Sequence, residues 1–184
     1  ETAEEMLRTL SPALEGVVQG QVASINKQLG LDVKRDFFGS FGDDLLQVQF
    51  APDLVRGTVP DQLYGVSLTN SEQFTRAMEG LKKLGGPAME KLLEKREYLG
   101  HAIYSFATPA PDGGSASGMS YVVTDRWFLF NIGGAAPIEA ALQGMAGQGQ
   151  SFWEKPEVRA ALATVPDTAT GFQYQDVAVL LAAM

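Results

Sequence analysis

The stretch YVVTDRWFLFNI, residues 121–132, decides the fold class of this chain. β-branched and aromatic residues fill two runs, Tyr121 to Val123 and Trp127 to Ile132, and Thr124, Asp125 and Arg126 separate them. Two such runs on either side of a short polar turn are typical of a β-hairpin. The sequence therefore predicts a pair of antiparallel strands here.

The second strand of this hairpin belongs to a strand-turn-helix pattern that occurs twice, at an offset of 64 residues. In the first unit an alternating strand is followed by Asn70, a helix-capping residue, and by an apolar helix face. The offset places apolar residues on apolar residues: Tyr64 on Phe128, Val66 on Phe130, Leu68 on Ile132, Phe74 on Ile138, Met78 on Leu142 and Leu81 on Met145. It also places Gly80 on Gly144, which predicts close packing of each helix on the sheet, because glycine otherwise destabilises a helix by about 1 kcal/mol. The pattern predicts one unit used twice, with a third copy from Phe172 in which Asp176 replaces Asn70.

The first 30 residues are predicted to be helical. Thr2 and Glu5 form a capping box, Ser11 before Pro12 offers a second helix start, and Gly30 is a suitable stop. Between them an apolar stripe recurs at three- and four-residue steps: Leu7, Leu10, Leu14, Val17, Val18 and Ile25. Such a stripe needs a surface to lie on. Residues 1–30 are therefore predicted to precede a sheet-helix body of residues 31–184.

Further strands and a short helix complete this body. The alternation of Leu46, Val48 and Phe50 predicts a strand with one solvent-exposed face. The other predicted elements are a short helix or turn from Asp32 to Asp44, a strand from Glu97 to Ala107, a flexible loop from Pro109 to Gly118, a short helix from Pro156 and a strand from Gly171 to Gln175. The sum is an α+β fold in which a mainly antiparallel sheet has helices packed on one face.

Composition limits the classes of function. The chain has 184 residues, which suits a single domain, and a formal net charge of −8, which makes nucleic acid and anionic membrane surfaces poor partners. It has no Cys, which removes disulfides, thiol nucleophiles and cysteine metal sites. No run approaches the ~20 apolar residues of a spanning helix, so no membrane insertion is expected. Because the chain begins at Glu1 and ends in the apolar run Val177 to Met184, we expect it to be a fragment of a longer chain.

Few residues have the pattern of a chemical site, and each has a structural explanation that we favour. His101 is the only histidine and sits in a predicted strand. Asp43 and Asp44, with Asp32, Asp36 and Asp53 near them, lack the ligand spacing of a calcium loop. Gly133 and Gly134 precede a helix as in a phosphate-binding turn, but the full nucleotide motif is missing.

The remaining candidates are also assigned to structure. Gly113 to Gly118 has no serine in the setting of a hydrolase nucleophile and suits a hairpin tip. Lys82 and Lys83 suit the end of a helix better than a basic patch. Four aromatic residues are interface candidates for which core packing is favoured: Tyr98, Tyr104, Trp127 and Trp153. No catalytic, cofactor-binding or metal residue is therefore assigned, and no cofactor is expected.

Four segments of the second half carry a resemblance to a known family: YLGHAIY at residues 98–104, the hairpin of residues 121–130, the helix from Pro137 to Leu142, and residues 151–176 with their closing FQYQD. They resemble the bacterial family designated domain of unknown function 3352, and the resemblance extends over residues 32–184. It implies an exported or membrane-anchored protein, and therefore an extracytoplasmic location. The family brings no known catalytic residues.

These observations favour a non-catalytic binding or assembly module of the bacterial envelope. It would act through its sheet face or its N-terminal helix on a protein partner or another envelope component. One alternative is a hydrolase-like enzyme whose site is assembled only in three dimensions, for example from His101 and an aspartate between Asp32 and Asp53. Another is a purely structural spacer domain.

Overall fold

An antiparallel sheet of six strands is the centre of the part of the chain that the computed structural model describes, namely residues 20, 23–50, 61–109, 115–148, 154–166 and 168–174. The strands are β1 (Phe41–Gln49), β2 (Gln62–Leu68), β3 (Leu93–Tyr98), β4 (His101–Pro109), β5 (Ser115–Val123) and β6 (Trp127–Ile132). Their order across the sheet is β1-β2-β6-β5-β4-β3, and every neighbouring pair is antiparallel. Strands β1 and β3 are therefore the two edges of this sheet.

Helices connect and flank the strands. They are α1 (Ser71–Leu84), α2 (Gly86–Leu92), α3 (Ala136–Met145) and α4 (Pro156–Leu162), and residues 23–29 are also helical. A π-helical turn, Val33–Phe37, and a 3-10 turn, Phe38–Ser40, lead into β1. The predicted cap of α1 is confirmed, because the Asn70 side chain accepts a hydrogen bond from the Gln73 backbone N–H. None of the helices in the described residues is long and apolar enough to cross a membrane.

The core lies on both faces of the sheet. On one face, here called the α3 face, Leu63, Ile103, Val122 and Leu129 form a cluster with Ile138 and Leu142 of α3. On the opposite face, the α1 face, Phe74 of α1 lies 5.0 Å from Phe128 between ring centroids and stacks on Phe37. Phe128 and Leu129 are adjacent in β6, so their side chains necessarily point to opposite faces. A strand that is apolar on both faces requires a helix layer on each side.

The predicted class, an α+β fold with an antiparallel sheet and helices packed against it, is confirmed. The expectation that the helices pack on one face is wrong, because α1 and α3 lie on opposite faces. Both predicted strand-turn-helix units are present, as β2–α1 and β6–α3. Their helices take different faces, so the two units are not packed in the same way.

The two helix glycines differ as well. A Cβ at Gly80 would lie 2.9 Å from a Leu31 methyl group, so Gly80 allows close approach of the segment before β1 and not of the sheet. A Cβ at Gly144 would have no atom of the described residues within 4 Å. The predicted close packing of both helices on the sheet is therefore wrong.

Several strand boundaries also differ from the predictions. The single strand expected from Glu97 to Ala107 is a hairpin, because Leu99 and Gly100 both have positive φ, 48° and 79°, as a two-residue turn between antiparallel strands requires. Ser115 to Gly118, expected in a loop, belongs to β5. Residues 171–174, expected in a strand, have no regular structure, so the strand predicted for the third copy of the unit does not form. Of the helical segment predicted over residues 1–30, residues 23–29 are helical, and residues 1–19 lie outside the described residues, as does Asp176.

Replacing Phe74 with Ala is expected to lower the free energy of unfolding by about 3–5 kcal/mol. The Phe74 ring is fully buried and contacts Phe37, Phe41 and Phe128, so its removal leaves a cavity between α1 and the sheet. Urea unfolding followed by circular dichroism measures the change, and Thr75→Ala on the exposed side of α1 is the matched control. Equal effects of the two substitutions would show that α1 does not hold this face.

Candidate functional site

The two edges of the sheet differ in charge. Strand β3 carries four consecutive charged and exposed residues, Glu94 to Glu97. Charged side chains on an edge strand oppose the addition of a further strand, because pairing would desolvate them. Residues 45–49 of β1 carry no charge, although β1 is also an edge. Only one edge of the described sheet is therefore blocked by charge along its length.

The first half of β1 is closed to pairing by its shape. The register is irregular between Phe41 and Leu45, where the chain bulges away from β2. The Ser67 hydroxyl fills the bulge and accepts a hydrogen bond of 3.0 Å from the backbone N–H of Asp44. Gly42 makes room for it, since a Cβ at that position would lie 2.5 Å from Ser67 Oγ. The bulge and the exposed carboxylates of Asp43 and Asp44 are two common means of protecting an edge.

The second half of β1 is regular and presents its backbone outward. Residues 45–49 pair with β2 without interruption, from Leu45 opposite Val66 to Gln49 opposite Gln62. The Phe50 N–H donates to Asp61 O at 3.0 Å, so it points toward β2. Because backbone groups alternate in direction along a strand, the N–H and C=O groups of Leu45, Gln47 and Gln49 point away from β2. Within the described chain, these groups form a free ladder.

Side chains along this half suit an added strand. Val48 packs against the core of the α3 face, which fixes the strand in the sheet. Leu45 projects on the other face and is 76% exposed, and Gln47 and Gln49 are exposed on the same face. We call residues 45–49 with these outward groups the β1 edge. This arrangement can hydrogen-bond an extended segment and offer it one apolar contact, which is the chemistry of strand addition.

His101 does not meet the aspartates of β1. It begins β4, whereas Asp43 and Asp44 lie in β1, and three strands separate β1 from β4. At the usual spacing of strands this separation is about 19 Å. No hydrogen bond or ion pair joins the His101 side chain to another described residue. The pairing of His101 with Asp43 or Asp44 is therefore not formed, and Asp53 lies outside the described residues.

The carboxylate of Asp36 has a structural role. It accepts hydrogen bonds from the Arg35 side chain at 2.7 and 3.1 Å, from the Asp32 N–H at 2.8 Å and from the Gln73 side chain at 2.8 Å. These bonds, the one from Arg35 first, lower the pKa of Asp36 from 3.8 to about 2. The carboxylate thus ties the turn before β1 to α1. Among the described residues no group of three or more acidic or histidine side chains could hold a metal ion.

The turn of Gly133 and Gly134 is occupied by polar groups of the chain itself. The fully buried Asn131 side chain donates to Gly134 O at 2.8 Å and to the Asp61 carboxylate at 3.1 Å. The space where a Cβ would stand on Gly133 is taken by that carboxylate. A phosphate at this turn would meet a negative charge, so the geometry disfavours an anion site.

The aromatic and lysine candidates lie within the packed layers. Tyr98 accepts a hydrogen bond from Gln143 of α3, and Trp127 packs against the core of the α3 face. The Lys82 amine lies 3.5 Å from the centre of the Tyr104 ring and 2.7 Å from a Glu79 carboxylate oxygen. Trp153 lies outside the described residues. Structural packing therefore accounts for all three described aromatic candidates.

Sequence reasoning did not single out the β1 edge. The signal that it leaves in the sequence is a contrast between two strands, LLQVQ at residues 45–49 without charge and EKRE at residues 94–97 with four. That contrast has meaning only once both strands are known to be edges.

Comparisons with protein-family models, with curated proteins and with solved structures find no match to this chain. The resemblance to the domain of unknown function 3352 family remains a prediction.

Gly42→Ala is expected to lower the free energy of unfolding by about 1 kcal/mol, because the new methyl group displaces the Ser67 hydroxyl from the Asp44 N–H. In a Ser67→Ala background, Gly42→Ala should lower the free energy of unfolding by much less. A double-mutant cycle by urea unfolding measures this coupling. Additive effects of the two substitutions would contradict the role given to Ser67 in the bulge.

Asp36→Asn is expected to destabilise the protein at about pH 6 and to have a smaller effect at about pH 2. A carboxyl group with a lowered pKa stabilises the folded state above its ordinary pKa of 3.8, and that stabilisation is lost as the pH falls toward about 2. Urea unfolding across this range measures the difference, with the exposed Asp125→Asn as control. An effect of Asp36→Asn that is independent of pH would refute the assignment.

Proposed function

We propose that this chain is a non-catalytic binding or assembly domain that adds an extended segment of a partner to its β1 edge. The observation that carries the proposal is the uncharged backbone ladder of Leu45, Gln47 and Gln49, which no described strand pairs with. It lies beside the half of β1 that is bulged and carries Asp43 and Asp44. Natural proteins usually protect exposed sheet edges from pairing unless the edge has a binding role. The charged residues of β3 give such protection to the opposite edge of this sheet.

The β1 edge can supply both affinity and register. Each backbone hydrogen bond that an added strand makes contributes about 0.5–1.5 kcal/mol. The exposed Leu45 side chain adds an apolar contact on the α1 face, and the bulge marks where pairing must stop. A short extended segment of alternating residues therefore fits the edge better than a helix or a flat surface does.

The class of partner follows from the charge of the chain. A net charge of −8 disfavours nucleic acid and anionic lipid, so the added segment belongs to a protein. The proposed location is outside the cytoplasm of a bacterium, on a chain that is exported or anchored in the membrane. This location is supported by the resemblance to the domain of unknown function 3352 family. No cofactor takes part in strand addition.

A soluble peptide that alternates threonine with valine between terminal lysines, KTVTVTK, is the probe for the proposed function. In an NMR titration we expect the amide signals of Leu45, Gln47 and Gln49 to shift and those amides to become protected from hydrogen exchange. The inward amides of Leu46 and Val48 already bond to β2 and should change less.

Gln47→Pro is the test variant, because proline removes an outward N–H without removing a bond to β2. Gln47→Thr keeps the N–H and is the matched control. Binding of the peptide that survives Gln47→Pro unchanged, or that shifts amides of β3 as strongly as those of β1, would refute the proposed function.

A further inference from the structure

We infer that the segment added to the β1 edge is the β1 edge of a second copy of this chain, antiparallel and related by a two-fold axis through Gln47. This inference rests on the proposed function and names its partner. Three properties of residues 43–49 carry it: the direction of their backbone groups, the position of their charges and the nature of their side chains.

The backbone groups match their own copy in this register. With Gln47 opposite Gln47, Leu45 of each copy lies opposite Gln49 of the other. The Phe50 N–H points toward β2, and backbone groups alternate in direction along a strand. The N–H and C=O groups of Leu45, Gln47 and Gln49 therefore all point away from β2. Every outward group of the edge thus meets an outward group of the other copy. A shift by one residue would lose this match, because outward groups would then face the residues whose backbone already bonds to β2.

The charges of β1 select the antiparallel arrangement. Asp43 and Asp44 stand at one end of the strand, directly before the uncharged stretch. In a parallel pair in register, each aspartate would face its own copy, which is destabilising. In the antiparallel pair centred on Gln47, Asp44 lies opposite Phe50 of the other copy. The two Asp44 residues are then about 20 Å apart along the strands, at the usual rise per residue.

The side chains continue the layers of the sheet across the axis. A two-fold axis perpendicular to the sheet keeps the α3 face of one copy on the same side as that of the other. Leu46 and Val48, which point to the α3 face, then lie opposite each other across the new interface. On the α1 face the exposed Leu45 lies beside Gln49. Apolar residues meet apolar residues on the side where the core is already buried.

Strand β3 is a poor alternative for the second copy. A contact between β1 of one copy and β3 of the next would bring Glu94 to Glu97 into the new ladder and desolvate their charges. The self-paired β1 edge avoids this cost. Its five residues per copy make a small interface, so we expect a reversible dimer whose population depends on concentration.

Sedimentation velocity of the whole chain over a concentration series, at about 0.15 M salt to screen the net charge, tests the inference. We expect a monomer-dimer equilibrium. Gln47→Pro should weaken dimerisation by about tenfold or more, because each copy loses its central outward donor. Gln47→Thr should leave the equilibrium close to that of the wild type.

A charge swap at the axis makes the test independent of any effect of proline on folding. Gln47→Lys and Gln47→Glu each place like charges opposite one another at the two-fold axis, so each variant alone should dimerise less than the wild type. Their equimolar mixture should form a mixed dimer. Restored association in the mixture supports the register centred on Gln47, and a mixture that stays as monomeric as its components overturns it.

The remaining outcomes separate the inference from the proposed function. A wild-type chain that stays monomeric at every concentration, but binds the KTVTVTK peptide at Leu45, Gln47 and Gln49, overturns self-pairing and leaves the proposed function standing. A chain that stays monomeric and also does not bind the peptide overturns both the self-pairing and the proposed function. A dimer that Gln47→Pro does not weaken overturns the inference, because its interface lies elsewhere.

Discussion

The burial of both faces of strand β6 is the constraint on which the rest of the structure depends. Leu129 points into the α3 face and is fully buried there, whereas Phe128 and Phe130 point to the α1 face. A strand with apolar side chains on both faces must lie inside the sheet and must have a layer on each side. The positions of α1, α3 and the flanking strands follow from this requirement. The strands at the two ends of the order, β1 and β3, are the edges of the described sheet.

Local features of the fold could be predicted from the sequence because they depend on residues that are close along the chain. The alternation in β1, β2 and β6, the Asn70 cap and the turn at Thr124 are of this kind. The face of the sheet that each helix covers could not be predicted in this way. It depends on the pairing of β2 with β6, which are far apart in sequence. The hairpin between β3 and β4 was hidden by Leu99, since leucine rarely adopts the positive φ that this turn needs.

The candidate site was less accessible to sequence reasoning than the fold. Whether a strand is an edge depends on the order of the strands in the sheet. The uncharged run of residues 45–49 therefore becomes distinctive only once β2 is known to be the one neighbour of β1 in the described sheet. Conversely, His101 and the aspartates of β1 are conspicuous in the sequence, and the order of the strands separates them. Asp36 looked like part of an acidic cluster because its partner Gln73 lies 37 residues away. In each case the missing information was a contact between distant segments.

The unequal edges also determine how far the sheet can grow. A subunit with two receptive edges can add neighbours without limit and polymerise into a fibre, because each addition leaves a fresh edge for the next. Here the charges of β3 terminate the sheet on one side, so a joined pair of copies has β3 at both of its outer ends. In the dimer inferred above, growth of the described sheet therefore stops at two copies. The charges of residues 94–97 on one edge thus limit the size of an assembly that forms through the other edge.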